Sequence, residues 1–239
     1  MASNKADAIL DIQAPSTASD LHQPGTYTYY HAGPLFTIAD LHTNALLAKA
    51  VHQHSNGKFI PCLPQDLEQR GNVTPQNIRD KDIRSLLSCD LALITYDGAE
   101  LDSGTVVEFM IAKMADIPAV ILRSDFRGGG DQSGGQPWNL MSSFWPRTEA
   151  VVVDAMLGYK QALAGAGSAG EILIEKTAKQ CVAAMEQALK KPSRMPKELR
   201  ESVYRWLALM PGYAEGDDQS DTSDMLRLLA LKEQKGMFN

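Results

Sequence analysis

The residues with the clearest capacity for chemistry are the two carboxylates in Asp102-Ser103-Gly104-Thr105-Val106-Val107-Glu108. Asp102 or Ser103 is placed to cap a helix, and Gly104 lets a ligand or another backbone come close. Glu108 then falls in the second turn of a segment that Val106, Val107, Phe109, Met110 and Ile111 make apolar on nearly every side. A Glu in that setting is poorly hydrated, which favours its neutral form, while the helix N-terminus favours its charge by roughly 0.3–1 kcal/mol. Starting from a carboxyl near pH 4.3, a rise of about one unit leaves it ionised at neutral pH. An ionised, poorly solvated carboxylate is a nucleophile, and a second carboxyl beside it can protonate the group that leaves.

The elements that must hold these residues follow from the apolar patterning. Short apolar runs alternate with helical stretches: strand 28–32, helix 38–53, strand 58–62, helix 75–88, strand 91–96, helix 105–115, strand 119–123, strand 150–154 and a long helix over 169–191. This alternation predicts a doubly wound α/β fold, flavodoxin-like or Rossmann-like, with a mainly parallel five-stranded sheet and helices on both faces. Thr74-Pro75 is a helix start, with Thr as cap and Pro at the first helical position. Residues 1–25 read as a mobile arm with a short helix at 6–12, residues 26–191 as the α/β domain, and 192–239 as a helical C-terminal extension. Within the extension, 195–210 reads as an amphipathic helix, 216–224 as an acidic linker and 225–235 as a last helix.

Parallel sheets bind ligands beyond the carboxyl ends of their strands. Four polar or Gly-bearing segments fall there: His31 to Phe36, Leu63 to Asp66, Asp97 to Gly104, and Ser124 to Asn139. They are expected to form one cleft. The last contains the run from Arg127 to Gln136, too rich in glycine and polar residues to pack, and reads as a flexible loop.

Composition narrows the chemistry. The chain has 239 residues, 44% hydrophobic and 22% charged, with a formal net charge of −6. That balance argues against a nucleic-acid or anionic-membrane surface, so neither is expected as a partner. Cys62, Cys89 and Cys181 are far apart and read as reduced core residues of a cytoplasmic protein. No targeting segment is read at the N-terminus, and no run approaches the ~20 apolar residues of a membrane helix.

Familiar motifs are missing. The glycine-rich run lacks the Gly-Lys-Ser/Thr of a P-loop, and Ala32-Gly33-Pro34 is not the three-glycine dinucleotide fingerprint. His52 and His54 have no ligand partner at metal spacing and read as a solvated helix end. No Gly-x-Ser-x-Gly elbow occurs. Carboxylate chemistry remains, and at a cleft it is the chemistry of glycosyl transfer: one carboxylate attacks the anomeric carbon while another group assists departure.

Here the residues carry a resemblance. Tyr30-His31-Ala32-Gly33-Pro34-Leu35-Phe36, then Asp82 ahead of Asp90, then Asp102-Ser103-Gly104-Thr105 with Glu108, then Pro137-Trp138-Asn139-Leu140-Met141, together resemble the nucleoside 2-deoxyribosyltransferases over residues 27 to 155. The resemblance implies that Glu108 is the nucleophile forming a deoxyribosyl-enzyme intermediate, that Asp102 and Asp82 contact the nucleobase and assist its departure, and that Tyr30 orients the nucleophile. It implies base contacts at Gln65 and Asp66, and contributions from Asn139 and Met141 to the site of a neighbouring subunit, hence a dimer or larger assembly. Gly33, Phe36 and Gly104 line the expected sugar and base site, with Gly33 or Phe36 the candidates for discrimination at C2′. Substrates are a 2′-deoxynucleoside and a free purine or pyrimidine base, with no metal and no cofactor.

Two rival readings stand beside this one. Water as acceptor would make the protein a 2′-deoxynucleoside 5′-monophosphate N-hydrolase, with Ser142 and Ser143 at the phosphate. The long termini would instead fit a non-catalytic nucleotide-binding module.

Overall fold

Strand positions follow the apolar runs because the central strands are covered on both faces. In the computed structural model, which describes residues 25–67, 74–132, 134–165, 167–212 and 218–239, five strands form one parallel sheet: β1 (Tyr27–Ala32), β2 (Phe59–Cys62), β3 (Leu91–Thr95), β4 (Ala119–Arg123) and β5 (Thr148–Val152), in the order β2-β1-β3-β4-β5. The register pairs Tyr30 with Cys62 on one side and Ala92 on the other, and Ile94 with Ile121. Chain order therefore reverses between β1 and β3, where such folds bind ligands.

Several helices begin where the sequence supplies a cap. Thr37 and Asp40 form a reciprocal capping box ahead of α1 (Ile38–His54), Thr74 caps α3 (Pro75–Ser88), Asp102 caps α4 (Ser103–Met114) and Ser168 caps α6 (Ala169–Lys190). The one-turn α2 (Pro64–Leu67) and α5 (Ala155–Ala162) complete the domain, with α7 (Lys197–Leu207) and α8 (Asp218–Gln234) after it.

Alternate side chains along each strand enter opposite cores. On one face Tyr29, Leu91, Leu93, Val120 and Leu122 pack with Leu47 and Val51 of α1 and Cys181 and Met185 of α6. On the other, Tyr30, Ala92, Ile94 and Ile121 meet Leu86 of α3, Phe109 of α4, Tyr204 of α7 and Met225 of α8. The last two helices are thus part of this core. Buried charges tie them down: Arg147 donates to the carbonyls of Asp116 and Met237, Asp116 accepts from Ser193, and Lys235 pairs with Asp90 at 2.7 Å.

Several expectations need correction. β5 lies at 148–152 rather than 150–154; it is an edge strand with one wet face, so its start carries Thr148 and Glu149 rather than an apolar run. Residues 218–224 belong to α8 instead of a linker, since acidic residues are favoured at helix N-termini and their presence does not exclude a helix. His54 is not a solvated helix end, because its imidazole bonds to Glu175 and joins α1 to α6, while His52 Nδ1 faces the Phe59 carbonyl at 3.1 Å. The glycine-rich run is packed at several points. The Gln132 amide donates to the carbonyl of Trp138 and the hydroxyl of Ser143, Asp131 accepts from the Leu140 amide, and a Cβ on Gly130 would lie 2.2 Å from the Trp138 carbonyl. Residues 1–24, most of the expected arm and its short helix, lie outside the described residues.

Candidate active site

The cleft is built on β1, α3 and the start of α4. Beyond the carboxyl ends of β1 and β3 opens a cavity of about 450 Å³ lined by Gly33, Phe36, Gln65, Asp82, Asp102, Gly104 and Glu108. Seven of the sequence-derived candidates therefore meet in one place. A Cβ on Gly33 would lie 3.0 Å from Thr95 Cβ, so this floor between β1 and β3 tolerates little bulk.

Glu108 sits deep, with Tyr30 directly behind it. Tyr30 is fully buried, and its hydroxyl donates to Glu108 Oε1 at 2.6 Å. Burial raises the Glu108 carboxyl from 4.5 to about 7; the Tyr30 bond opposes the rise, and the nearby Asp82 and Asp102 charges add to it. Glu108 therefore does not stay fully ionised at neutral pH, as helix dipole and a one-unit desolvation would have it. Burial, with a smaller addition from Asp82 and Asp102, outweighs the helix N-terminus, whose influence fades within the first turn. Burial and the Glu108 charge together hold the Tyr30 phenol far above its usual range, so it remains a donor.

Asp102 has a double position. Its Oδ2 accepts from the Thr105 amide at 2.7 Å and the Thr105 hydroxyl at 2.8 Å, capping α4. Asp102 nonetheless lines the cavity, so one oxygen serves the helix and the other is available to a ligand. Gln65 is more constrained: its amide nitrogen donates to the Leu41 carbonyl at 3.1 Å and its oxygen accepts from Asn44 at 3.3 Å. In this conformation it braces α1 against α2 while presenting its side to the cavity. Phe36 is 77% exposed at the rim.

Three candidates stand apart. Asp66 is exposed, with the partial desolvation of its carboxyl raising its pKa, and lies outside the cavity lining. Asn139 and Met141 line a second cavity of about 390 Å³ with Ser103, Val106, Arg123 and Trp138. The four loop segments thus form two cavities rather than one. β3 and the first turn of α4 stand between the β1 loop and the loop after β4, because β3 separates β1 from β4 in the sheet. Asn139 caps a 3₁₀ turn (Leu140–Ser142), its Oδ1 accepting from the Met141 amide at 2.9 Å, and Met141 is 76% exposed. Ser142 lines that second cavity as well, and the Ser143 hydroxyl donates to the Asn139 carbonyl.

The sequence reading overlooked Asn77, Ile78 and Lys81, which α3 brings into the cleft with Asp82. Helical spacing held the signal, since 77, 78, 81 and 82 share one face once Asp82 is taken as inward.

Among the described residues no group of three or more His, Cys, Asp or Glu side chains is arranged to hold a metal, and no helix is long and apolar enough to cross a membrane.

Fold and cleft define a class: a doubly wound α/β protein with a carboxyl-lined ligand site where its strand order reverses. Residues 29–141 match the family model described as nucleoside 2-deoxyribosyltransferase. Among solved structures, a conserved protein from Enterococcus faecalis V583 aligns with TM-score 0.44 and 21% identity over 69% of this chain and 99% of its own. A 2-desoxiribosyltransferase from Leishmania mexicana aligns with TM-score 0.43 and 22% identity over 59% of this chain and 99% of its own. No curated protein matches the sequence.

Proposed function

We propose that the protein transfers 2-deoxyribose from a 2′-deoxynucleoside to another purine or pyrimidine base. One observation carries the reading: a partly buried carboxyl whose proton affinity is raised by burial, bonded by a tyrosine hydroxyl and sharing a nucleoside-sized cavity with two aspartates. Ionised Glu108 attacks C1′, the C1′–N bond breaks, and its electron pair leaves with the base nitrogen as that nitrogen takes a proton from Asp102 or Asp82. The sugar is then held on Glu108 as an ester. An incoming base nitrogen attacks C1′, the ester bond returns its electrons to Glu108, and the aspartate recovers the proton. Tyr30 keeps one Glu108 oxygen engaged so that the other points at the sugar.

Transfer is favoured over hydrolysis of a 5′-monophosphate because the cleft is acidic. Its described lining holds three carboxyls, Asp82, Asp102 and Glu108, against one cation, Lys81, which disfavours a doubly charged phosphate beside them. Ser142 and Ser143 stand on the second cavity's side of the molecule.

The test is base exchange over a small panel of deoxynucleosides and free bases, with acid-quenched reactions digested for mass spectrometry. A deoxyribosyl mass on the peptide containing Glu108 is expected. Release of free deoxyribose without exchange would move the assignment to hydrolysis, and ligand binding without turnover to a non-catalytic module.

The same reading places Asn139 and Met141 in the site of a second copy. The exposure of Leu140, Met141 and Phe144 at and after the turn that packs on α4, with Val107 and Met114 also exposed on α4, supports an apolar contact there. Met141→Asp is expected to lower both sedimentation coefficient and exchange activity; a fully active wild-type monomer at nanomolar concentration would overturn it.

A further inference from the structure

The cleft contains a cation that neither the chemistry at C1′ nor the helix caps require. Lys81 lies on α3 immediately before Asp82 and lines the same cavity as Asp82, Asp102 and Glu108. Its ammonium donates to the carbonyl of Leu67, the last residue of α2, which fixes the side chain across the gap between the two helices. An ammonium carries three donors, so this contact leaves capacity for a ligand.

Lys81 stands on the side of the cavity formed by α2 and α3, where its ammonium reaches the Leu67 carbonyl.

Among the described side chains lining the cavity, carboxylate acceptors dominate, with the Asn77 amide the neutral donor beside Lys81. Asp82 and the open oxygen of Asp102 accept when ionised, the Thr105 hydroxyl donates to Asp102, and the Gln65 amide donates to Leu41. A ring N–H or an amino group on a base finds acceptors easily. An exocyclic carbonyl oxygen needs a donor, and Lys81 supplies a charged one.

We propose that Lys81 reads an exocyclic carbonyl oxygen of the nucleobase, so that the protein favours an oxo base over the matching amino base. This rests on the deoxyribosyl-transfer reading above. A site built to bond a polar group discriminates strongly against a ligand that lacks it, because the buried donor is then left unpaired.

Hypoxanthine and adenine test it, since they differ in carrying a carbonyl or an amino group at the same ring position. With 2′-deoxyguanosine as the common donor, wild type is expected to show the higher kcat/KM for hypoxanthine. Lys81→Met should lower kcat/KM for hypoxanthine about tenfold or more while moving adenine less than about threefold, and Lys81→Arg should keep most of the preference. A tether between α2 and α3 and nothing more would instead lower both acceptors equally and reduce the Tm. An equal change in both, or a wild type without preference, overturns the proposal. Absence of exchange with both bases overturns the transfer reading itself. Calorimetric titration of the two free bases into wild type and Lys81→Met then decides Lys81 independently, with equal affinities in wild type counting against it.

Discussion

The cleft and the second cavity share a wall, the first turn of α4, yet they use charge in opposite ways. In the second cavity the buried Arg123 donates to the carbonyls of Tyr96, Gly98 and Arg127, and next to it Asp97 accepts from the Ser124 hydroxyl and the amides of Ser124 and Asp125. Those charges bond mostly to backbone groups and hold the loops after β3 and β4 together. In the cleft Asp82, Asp102 and Glu108 line one cavity, and burial, with a smaller contribution from the two aspartates, pushes Glu108 to about 7. The difference follows from sheet order. β3 and β4 are neighbours both in the sheet and in chain order, so their loops bond to each other; β1 and β3 diverge around the reversal, and a cleft opens beyond their ends.

The contrast can be broken most directly at its two glutamates. Glu108→Gln is expected to lower exchange by about a thousandfold or more, since it removes the nucleophile, whereas Glu100→Gln in the second cavity should change it less than about threefold. Comparable losses at both positions, measured as kcat/KM on purified proteins of native circular dichroism, would erase the distinction between the cavities.

Next in size is the tyrosine behind the nucleophile. Tyr30→Phe should cost about ten- to a hundredfold in exchange and move the acid limb of the pH profile upward, because the lost hydrogen bond favours the carboxylate. A loss without any shift of that limb would make Tyr30 a packing residue only.

A charge change across the cleft acts in the other direction. Wild-type kcat/KM should rise with pH and level off above about 7, as Glu108 becomes ionised. Asp82→Asn removes one charge that raises Glu108, so its acid limb should fall by about half a unit to one unit even as activity drops. An unmoved limb would separate Asp82 from Glu108.

The smallest expected effect concerns stability. Glu108 has a folded value of about 7 against an ordinary 4.5, so between those pH values the folded chain holds more protons than the unfolded one. Stability from this group therefore declines as pH rises through that window and is level above it. Glu108→Gln should raise stability at pH 8 by on the order of 2 kcal/mol, with the gain fading towards pH 4.5. Calorimetric melting at the two pH values checks the sign, and a gain that is the same at both would refute the titration argument.

Particular residues show how far the sequence could be read. β3 and β4 are plain in it because Leu91–Thr95 and Ala119–Arg123 are almost entirely buried and hence almost entirely apolar. The start of α4 was legible because caps have few chemical solutions, and Asp102 rather than Ser103 turns out to supply the side-chain bond. The edge strand and α5 were misplaced or missed, since partly exposed elements carry weaker patterns. Lys81 was hidden for a different reason: a Lys beside Asp80 and Arg84 is ordinary on a solvated face, and only the approach of α2 turns that face into a wall. The strength of the push on Glu108 was equally out of reach, because it depends mainly on how far the tertiary fold buries the carboxyl and on Asp82 arriving from α3.

The cap on α4 restricts what variation can do at position 102. Asn would keep an acceptor for Thr105 but cannot hand over a proton; Ser or Thr would keep the cap and lose reach; Glu would keep the acid and place it badly for the cap. No single replacement serves both oxygens of Asp102. Altered base preference, in a laboratory library or over natural drift, is therefore expected to accumulate at positions 77, 78, 81 and 82 on α3, where a side chain can change without unfastening the helix that carries Glu108.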